Sequence, residues 1–506
     1  MTDVVESIQM ANSIEVLLEI SKRYYSKIPI SQRSLVFNQV IFQRKLEPED
    51  DQLSLKLAMN LSFLFMTYPV KMSIRERLFK KINVESEFGV FRLFIQKMYQ
   101  LYLEQQIEQS EGDLFTTYLN YHFHFPSIAV GDYLELFKLF DKISKKIYGF
   151  SIYNLAGVLL FFTSNTNIDE EGKMTITNAW ISNKDMKNYF DRELYPIIIS
   201  GLFADVSEVN SEKLLYPTAV PKLFKGKIGL RFKTGYFVPQ CEFIFENILR
   251  YLIEASESDK FKGNVLEDHT RDILKNFFTE GTVTKTYYDE EKNEQDILVQ
   301  YKDYLLVIEC KAHDFKEVYR DQDAAVNRLN QRFNHVILKG CKQCERVKER
   351  VTNNESVVFY DSDKANKRKK IIELPNTANL KILKVVVTLD DYLNLSESPH
   401  EFLDEKYQDT WIVNLFTLKR ILWASNQEKL IKYIEYRTSA LTTISSINSD
   451  ELDQYGYYVS PNYDIFPPNN IGISIHLMSG FSKMFDHYDD ESFKKQWKLL
   501  SEHLNR

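Results

Sequence analysis

The chain has 506 residues, 44% of them hydrophobic and 27% charged, and a formal net charge of -7. That length exceeds what one hydrophobic core ordinarily serves, so two or three domains are expected, and the composition excludes a disordered or fibrous protein. The acidic balance excludes a molecule that is basic all over and leaves nucleic-acid binding to a local gathering of Lys and Arg, while four cysteines are too few for a disulfide framework and agree with a reducing compartment.

Gly and Pro are sparse, at 16 and 13 residues, so long helices are expected. The start, "MTDVVESIQMANSIEVLLEI", lacks the basic opening and apolar run of a secretory signal, and no stretch of about 18 uncharged apolar residues occurs anywhere. The expectation is a cytoplasmic protein with no membrane segment. Residues 1–255 read as mainly helical, as in "SIEVLLEISKRYYSKI", "DDQLSLKLAMNLSFLFMTY" and "GVFRLFIQKMYQLYLEQQIEQ", where apolar residues recur at three and four. Near the end of this region a strand pair turns at Thr234-Gly235 and a helix begins near Cys241. The polar "SESDKFKG" at 256–263 reads as a break and a domain boundary.

Beyond the break the rhythm changes. A helix, "NVLEDHTRDILKNFF", precedes the strands "TVTKTYY", "QDILVQY" and "YLLVIEC", the last two joined by a Lys302-Asp303 hairpin turn. A long helix lies within 321–352, followed by "SVVFY", the basic loop "KANKRKK", "KIIEL" and the β-branched "ILKVVVTL", expected as a central strand. Residues 401–506 read as an α/β extension, either separate or part of the preceding domain.

One strand poses a chemical question. "YLLVIECK" is apolar until it ends in Glu309 and Lys311, and alternation turns both to one face. Asp296, opening the preceding strand of the same hairpin, can face them. Buried carboxylates close together raise one another's pKa unless positive charge sits between them, and a divalent cation supplies it. Carboxylate oxygens, with the Cys310 carbonyl and waters, suit Mg2+ or Mn2+ better than Zn2+. Lys311 is then a cation able to orient or deprotonate an attacking water and to offset charge on a phosphoryl oxygen. The plainer alternative is a solvated Glu/Lys pair at a strand end.

These residues resemble the PD-(D/E)XK nuclease superfamily, the restriction-endonuclease-like fold. The resemblance puts the motif's Asp at Asp296, its Glu at Glu309, its Lys at Lys311 and its variable position at Cys310, with Gln295 where the name has Pro. The elements from 264 to about 390 are similar in order to that fold's αβββαβ core, a mixed sheet flanked by helices, so the resemblance covers roughly a quarter of the chain. It implies an α/β nuclease domain over 264–400, Mg2+ (or Mn2+) as cofactor, and hydrolysis of nucleic acid, DNA ahead of RNA, with a role in defence against foreign DNA among those it allows. It also implies a further metal-holding acid on the first helix, at Glu267, which could instead be an N-terminal acid favouring the helix dipole. Gln343, on the helix after the motif, matches a glutamine that some relatives place near the scissile phosphate.

On that same helix Lys339, Lys342, Arg346 and Arg350 fall at steps of three and four, a cationic face able either to track phosphates or simply to stay solvated. Cys341 and Cys344, with His335 nearby, lack a second ligand pair and read as small helix residues rather than a zinc site. The chain has no Gly-x-Ser-x-Gly elbow and no Gly-x-x-x-x-Gly-Lys loop. Two alternatives accompany the nuclease: a non-catalytic binder of nucleic acid or a partner on the same fold, and a nuclease subunit activated within a larger complex. Residues 1–255 would then offer a surface for recognition, a homo-oligomer or a partner protein.

Overall fold

A computed structural model of the chain describes residues 2–30, 32–34, 36–37, 62–68, 71, 89–98, 100, 129–163, 166–168, 174–176, 180–190, 192–208, 224–238, 243–256, 259–312, 327, 330–364, 367–392, 396, 402–443, 446–448, 450–460, 474–476 and 481–504. Much of the predicted helices at 50–68 and 89–109, the start of the one within 321–352, and the aromatic stretch beyond 460 lie outside the described residues. The protein is α/β, and it divides into two compact units: Met1–Phe115, His122–Ala255 and Lys494–Arg506 form one, Thr116–Tyr121 and Ser256–Phe493 the other. Among the described residues no helix is long and apolar enough to cross a membrane.

The first unit is mainly helical. In the helix Ile14–Tyr25, Ser13 accepts a hydrogen bond from the Val16 N–H at the start, and Leu17, Leu18, Ser21 and Tyr25 line its buried face at helical spacing. Tyr25 stacks on Phe65 with ring centroids 4.6 Å apart, and Phe37 meets Phe91 at 4.5 Å, so the abundant aromatics here are packing. The fully buried Arg33 donates to the carbonyls of Ile28, Phe65 and Tyr68, which compensates its desolvation. A small sheet pairs Gly229–Arg231 antiparallel with Gly235–Phe237, joined across Thr234, and the helix Phe243–Ala255 follows.

The second unit is built on a seven-stranded mixed sheet. Its elements are α1 (Asp259–Phe277), β1 (Thr282–Tyr288), β2 (Glu294–Tyr301), β3 (Tyr304–Lys311), α2 (Lys339–Thr352), β4 (Val357–Tyr360), β5 (Lys370–Leu374), β6 (Lys381–Thr388) and β7 (Thr410–Asn414). They continue with α3 (Leu415–Ala424), α4 (Gln427–Thr443) and α5 (Glu451–Tyr458). The strand order is β5-β4-β1-β2-β3-β6-β7. β1, β2 and β3 form an antiparallel meander, whereas β3 pairs parallel with β6 and β6 parallel with β7. The "KANKRKK" loop joins the β4–β5 hairpin at the opposite edge.

Two details depart from expectation. The polar 256–263 stretch is not wholly a break: α1 begins at Asp259, because Lys and Phe continue a helix readily and polar residues suit an exposed turn. And β1 is not a regular strand. Thr286 has φ +51°, a strained setting for a β-branched residue, in the middle of its ladder with β2.

Candidate metal and phosphate site

β3 and β6 are buried along most of their length. The sheet lies between α1 and α2, which is why "YLLVI" can be apolar on both faces. At the end of β3, alternation turns Cys310 to the α1 side, where its thiol meets Thr270, and turns Glu309 and Lys311 to the α2 side. There α2 comes down directly on the lysine. A Cβ at Gly340 would lie 3.0 Å from Val386 and 3.3 Å from Lys311 Cε, so a glycine lets the helix approach. Cys344, one turn on, lays its Sγ 3.5 Å from the Val307 and Val385 carbonyls.

The structure brings Asp296, Glu309 and Lys311 together. Lys311 Nζ donates to Glu309 Oε2 at 2.8 Å and stands 3.7 Å from Asp296 Oδ2. The β2–β3 register runs only to Ile297 opposite Ile308; beyond it the Cys310 N–H donates to Asp296 Oδ2 at 2.7 Å and fixes that carboxylate. Glu309 is completely buried; its Oε1 meets no donor, and its carboxyl lies within hydrogen-bond reach of the Asp296 carboxyl. Burial first, and the Asp296 charge second, push its carboxyl from 4.5 up to about 8, with Lys311 offsetting only part. Desolvation would lower the Lys311 pKa, but the neighbouring Glu309 and Asp296 charges outweigh it and hold the amine above its ordinary value. Burial and crowding explain both directions: a dry carboxyl beside a second acid resists charge, and an amine set between two acids keeps its own.

Glu267 belongs to the same electrostatic neighbourhood. Its helix begins at Asp259, more than two turns earlier, so the helix dipole does not account for it. Burial, and next the Asp296 charge, raise its carboxyl from 4.5 to about 7; Lys285, 3.7 Å away, and Lys311 work against the shift. Asp268, beside it, pairs with Lys285 at 2.7 Å. Gln343, one turn past Gly340, is half-buried and its Oε1 has no partner.

The cationic face of α2 is divided. Lys339 and Lys342 are exposed. Arg350, however, pairs with Glu290 at 2.6 Å, and Arg346 Nε lies 4.0 Å from Asp289, so the turn between β1 and β2 already covers that end of the helix. Cys341 and Cys344 are buried side chains of α2, and His335 is exposed.

Sequence reasoning missed three residues here. Lys285 reaches Glu267 and Asp268 on α1, yet Tyr287, two positions on, lies in the fields of Glu309, Cys344 and Arg346; the left-handed Thr286 between them breaks the alternation. Tyr287 is wholly buried, T-stacked on Phe359 at 4.9 Å, with its hydroxyl unpartnered. Gln295, its partner in the β ladder, is also buried with both amide atoms unpartnered. The available signal was polar: a Gln and a Tyr on buried strands beside an Asp.

As arranged, the described residues assemble no group of three or more His, Cys, Asp or Glu side chains able to hold a metal ion. What they offer a hard divalent cation is the Asp296 and Glu309 carboxylates, including the orphaned Glu309 oxygen, with Glu267 nearby and Cys310 contributing only main chain. No protein-family model, no curated protein and no solved structure matches this chain.

Proposed function

We propose that the protein is a metal-dependent nuclease that hydrolyses phosphodiester bonds, DNA ahead of RNA, with Asp296 and Glu309 holding Mg2+ or Mn2+. The observation that carries this reading is the fully buried Glu309, one oxygen without a donor, set against the Asp296 carboxyl of the neighbouring strand with Lys311 as their shared cation. A carboxylate so placed is costly unless a cation completes it. The order α1-β1-β2-β3-α2-β6, with the β4–β5 hairpin inserted, supports the likeness to the restriction-endonuclease-like core.

A bound divalent cation supplies Lewis acidity at the phosphate and a more acidic water. The chain's own groups do the remaining work. Lys311, held charged by its two acids, orients the attacking water and offsets charge developing on the phosphoryl oxygen. An amine held in that state is poorly suited to take the water's proton. Glu267, near 7, exchanges a proton readily at neutral pH and sits on the α1 side to do so. The Gln343 amide donates to a non-bridging phosphate oxygen, and α2 and the sheet exclude bulk water.

A second reading has its own observation. Lys311 bridges the two carboxylates, and among the described residues no three-ligand group is assembled, an arrangement that suits a binder without turnover or a subunit that becomes competent within a complex. One experiment separates these readings. Linear, circular and single-stranded DNA and RNA are incubated with the purified protein in Mg2+, Mn2+ or chelator. Shortened products that vanish with chelator support the nuclease; a shifted but intact band in every condition removes it.

A further inference from the structure

The turn between β1 and β2, "YDEEKNEQ", is not a loose connection. The buried Asp289 accepts from the Asn293 N–H at 2.8 Å and from the Asn293 amide at 2.9 Å, and Lys292 takes φ +69° to close the loop. This holds Glu290 in a defined place. Two arginines from other elements meet it there, and a third stands beside its neighbour Asp289. Arg350 of α2 donates to Glu290 Oε2 at 2.6 Å, and Arg368, from the basic loop between β4 and β5, points Nη1 at the Glu290 carbonyl at 3.4 Å. Arg346 stands one turn up α2, its Nε 4.0 Å from Asp289.

The arginines are themselves braced. Arg368 lies over the Tyr360 ring, 4.1 Å from its centroid, and only 18% of the Arg350 side chain is exposed. Yet the buried Nε atoms of both Arg346 and Arg350 have no hydrogen-bond partner. Guanidinium forks with donors to spare, gathered around one acidic turn, match the demands of a phosphate oxygen, for which a carboxylate is the nearest protein substitute. Glu290, by contrast, is more than half exposed, so an incoming anion can displace it.

We infer that Arg346, Arg350 and Arg368 form a binding site for a backbone phosphate of nucleic acid, covered in the free protein by the acidic turn, where the Glu290 carboxylate occupies Arg350. The inference rests on the nucleic-acid reading above and adds a residue, Arg368, and a competitor, Glu290, to it. The cap holds affinity down until a polyanion pushes the acid aside.

The test is equilibrium binding of a labelled duplex of about 20 base pairs by the full chain in chelator, where no cleavage is needed. Glu290→Gln is expected to bind about fivefold tighter than the wild type, whereas Glu291→Gln, with the same charge change on a neighbour that touches no arginine, stays within about twofold. Adding Arg368→Ala to Glu290→Gln is expected to return the affinity to the wild-type level or below. Equal gains from Glu290→Gln and Glu291→Gln would overturn the inference, since net charge alone then explains them. So would unchanged binding by Glu290→Gln with a lower melting temperature, the signature of a structural clip. A chain that cuts nothing yet shows the specific gain loses the nuclease and keeps the phosphate site; a nuclease whose Glu290→Gln variant binds no tighter loses only the site.

Discussion

Two buried acids of the second unit, Glu451 and Glu309, are finished differently. Glu451, at the start of α5, accepts from Trp411 Nε1 at 2.7 Å, Tyr433 Oη at 2.6 Å and Arg437, whose Nη2 is 2.8 Å away. Both of its oxygens are engaged by protein donors. Glu309, no less buried, has one oxygen on Lys311 and no donor for the other, its carboxyl lying against a second acid, Asp296. Glu345 Oε2 pairs with the fully buried Lys384, which also meets Asp409, and so ties α2 to the sheet. A fully answered buried charge holds elements together; one left half-answered stores a cost that a ligand can relieve.

That contrast can be broken at either cluster. Arg437→Ala leaves Glu451 charged, buried and short of its strongest partner, and should cost about 3–5 kcal/mol of stability, read by denaturant melts, with no dependence on added Mg2+. Lys311→Ala should do the opposite: cleavage falls about 100- to 1000-fold in a single-turnover assay while circular dichroism and DNA binding stay close to wild type. Full activity in that variant would remove the mechanism.

Titration sharpens the difference further. Glu309 keeps its proton up to about 8 in the fold, against 4.5 as its ordinary value. Between those values the folded protein binds more protons than the unfolded chain, so this group's contribution to stability is complete below about 4.5 and is lost as pH rises toward 8. In chelator at pH 8, Glu309→Gln should therefore be more stable than wild type, an advantage that disappears at pH 4 and is read by melts at the two pH values. Added Mg2+ should raise the wild-type melting temperature by a few degrees, about 1.4 kcal/mol at tenfold excess over its Kd, and leave Glu309→Gln unmoved. Smallest of all, Tyr287→Phe removes an unpartnered buried hydroxyl and should shift stability by less than about 1 kcal/mol in either direction.

How legible was this arrangement? The Lys302-Asp303 hairpin, the three strands around it and the buried β6 follow from alternation and β-branched runs, although β6 stands next to the edge of the sheet rather than at its centre. Glu309 and Lys311 on one face follow from the period of two. The start of α1 did not, because a polar run reads alike as loop or as exposed helix. Thr286 in a left-handed setting runs against the propensity of "TVTKTYY", and Tyr287 looked like one more packing aromatic. The pairing of Arg350 with Glu290 joins residues far apart in the chain, beyond the reach of any local pattern.

By itself, then, the sequence determined which side chains share a strand face and where the acids stand along it, since both depend on local backbone geometry. Only the tertiary structure decided how dry Glu309 is, which of its oxygens goes unanswered and which arginines an acidic turn covers. Those are set by what packs from other elements, and electrostatic energy in a protein depends on that surrounding medium more than on residue type.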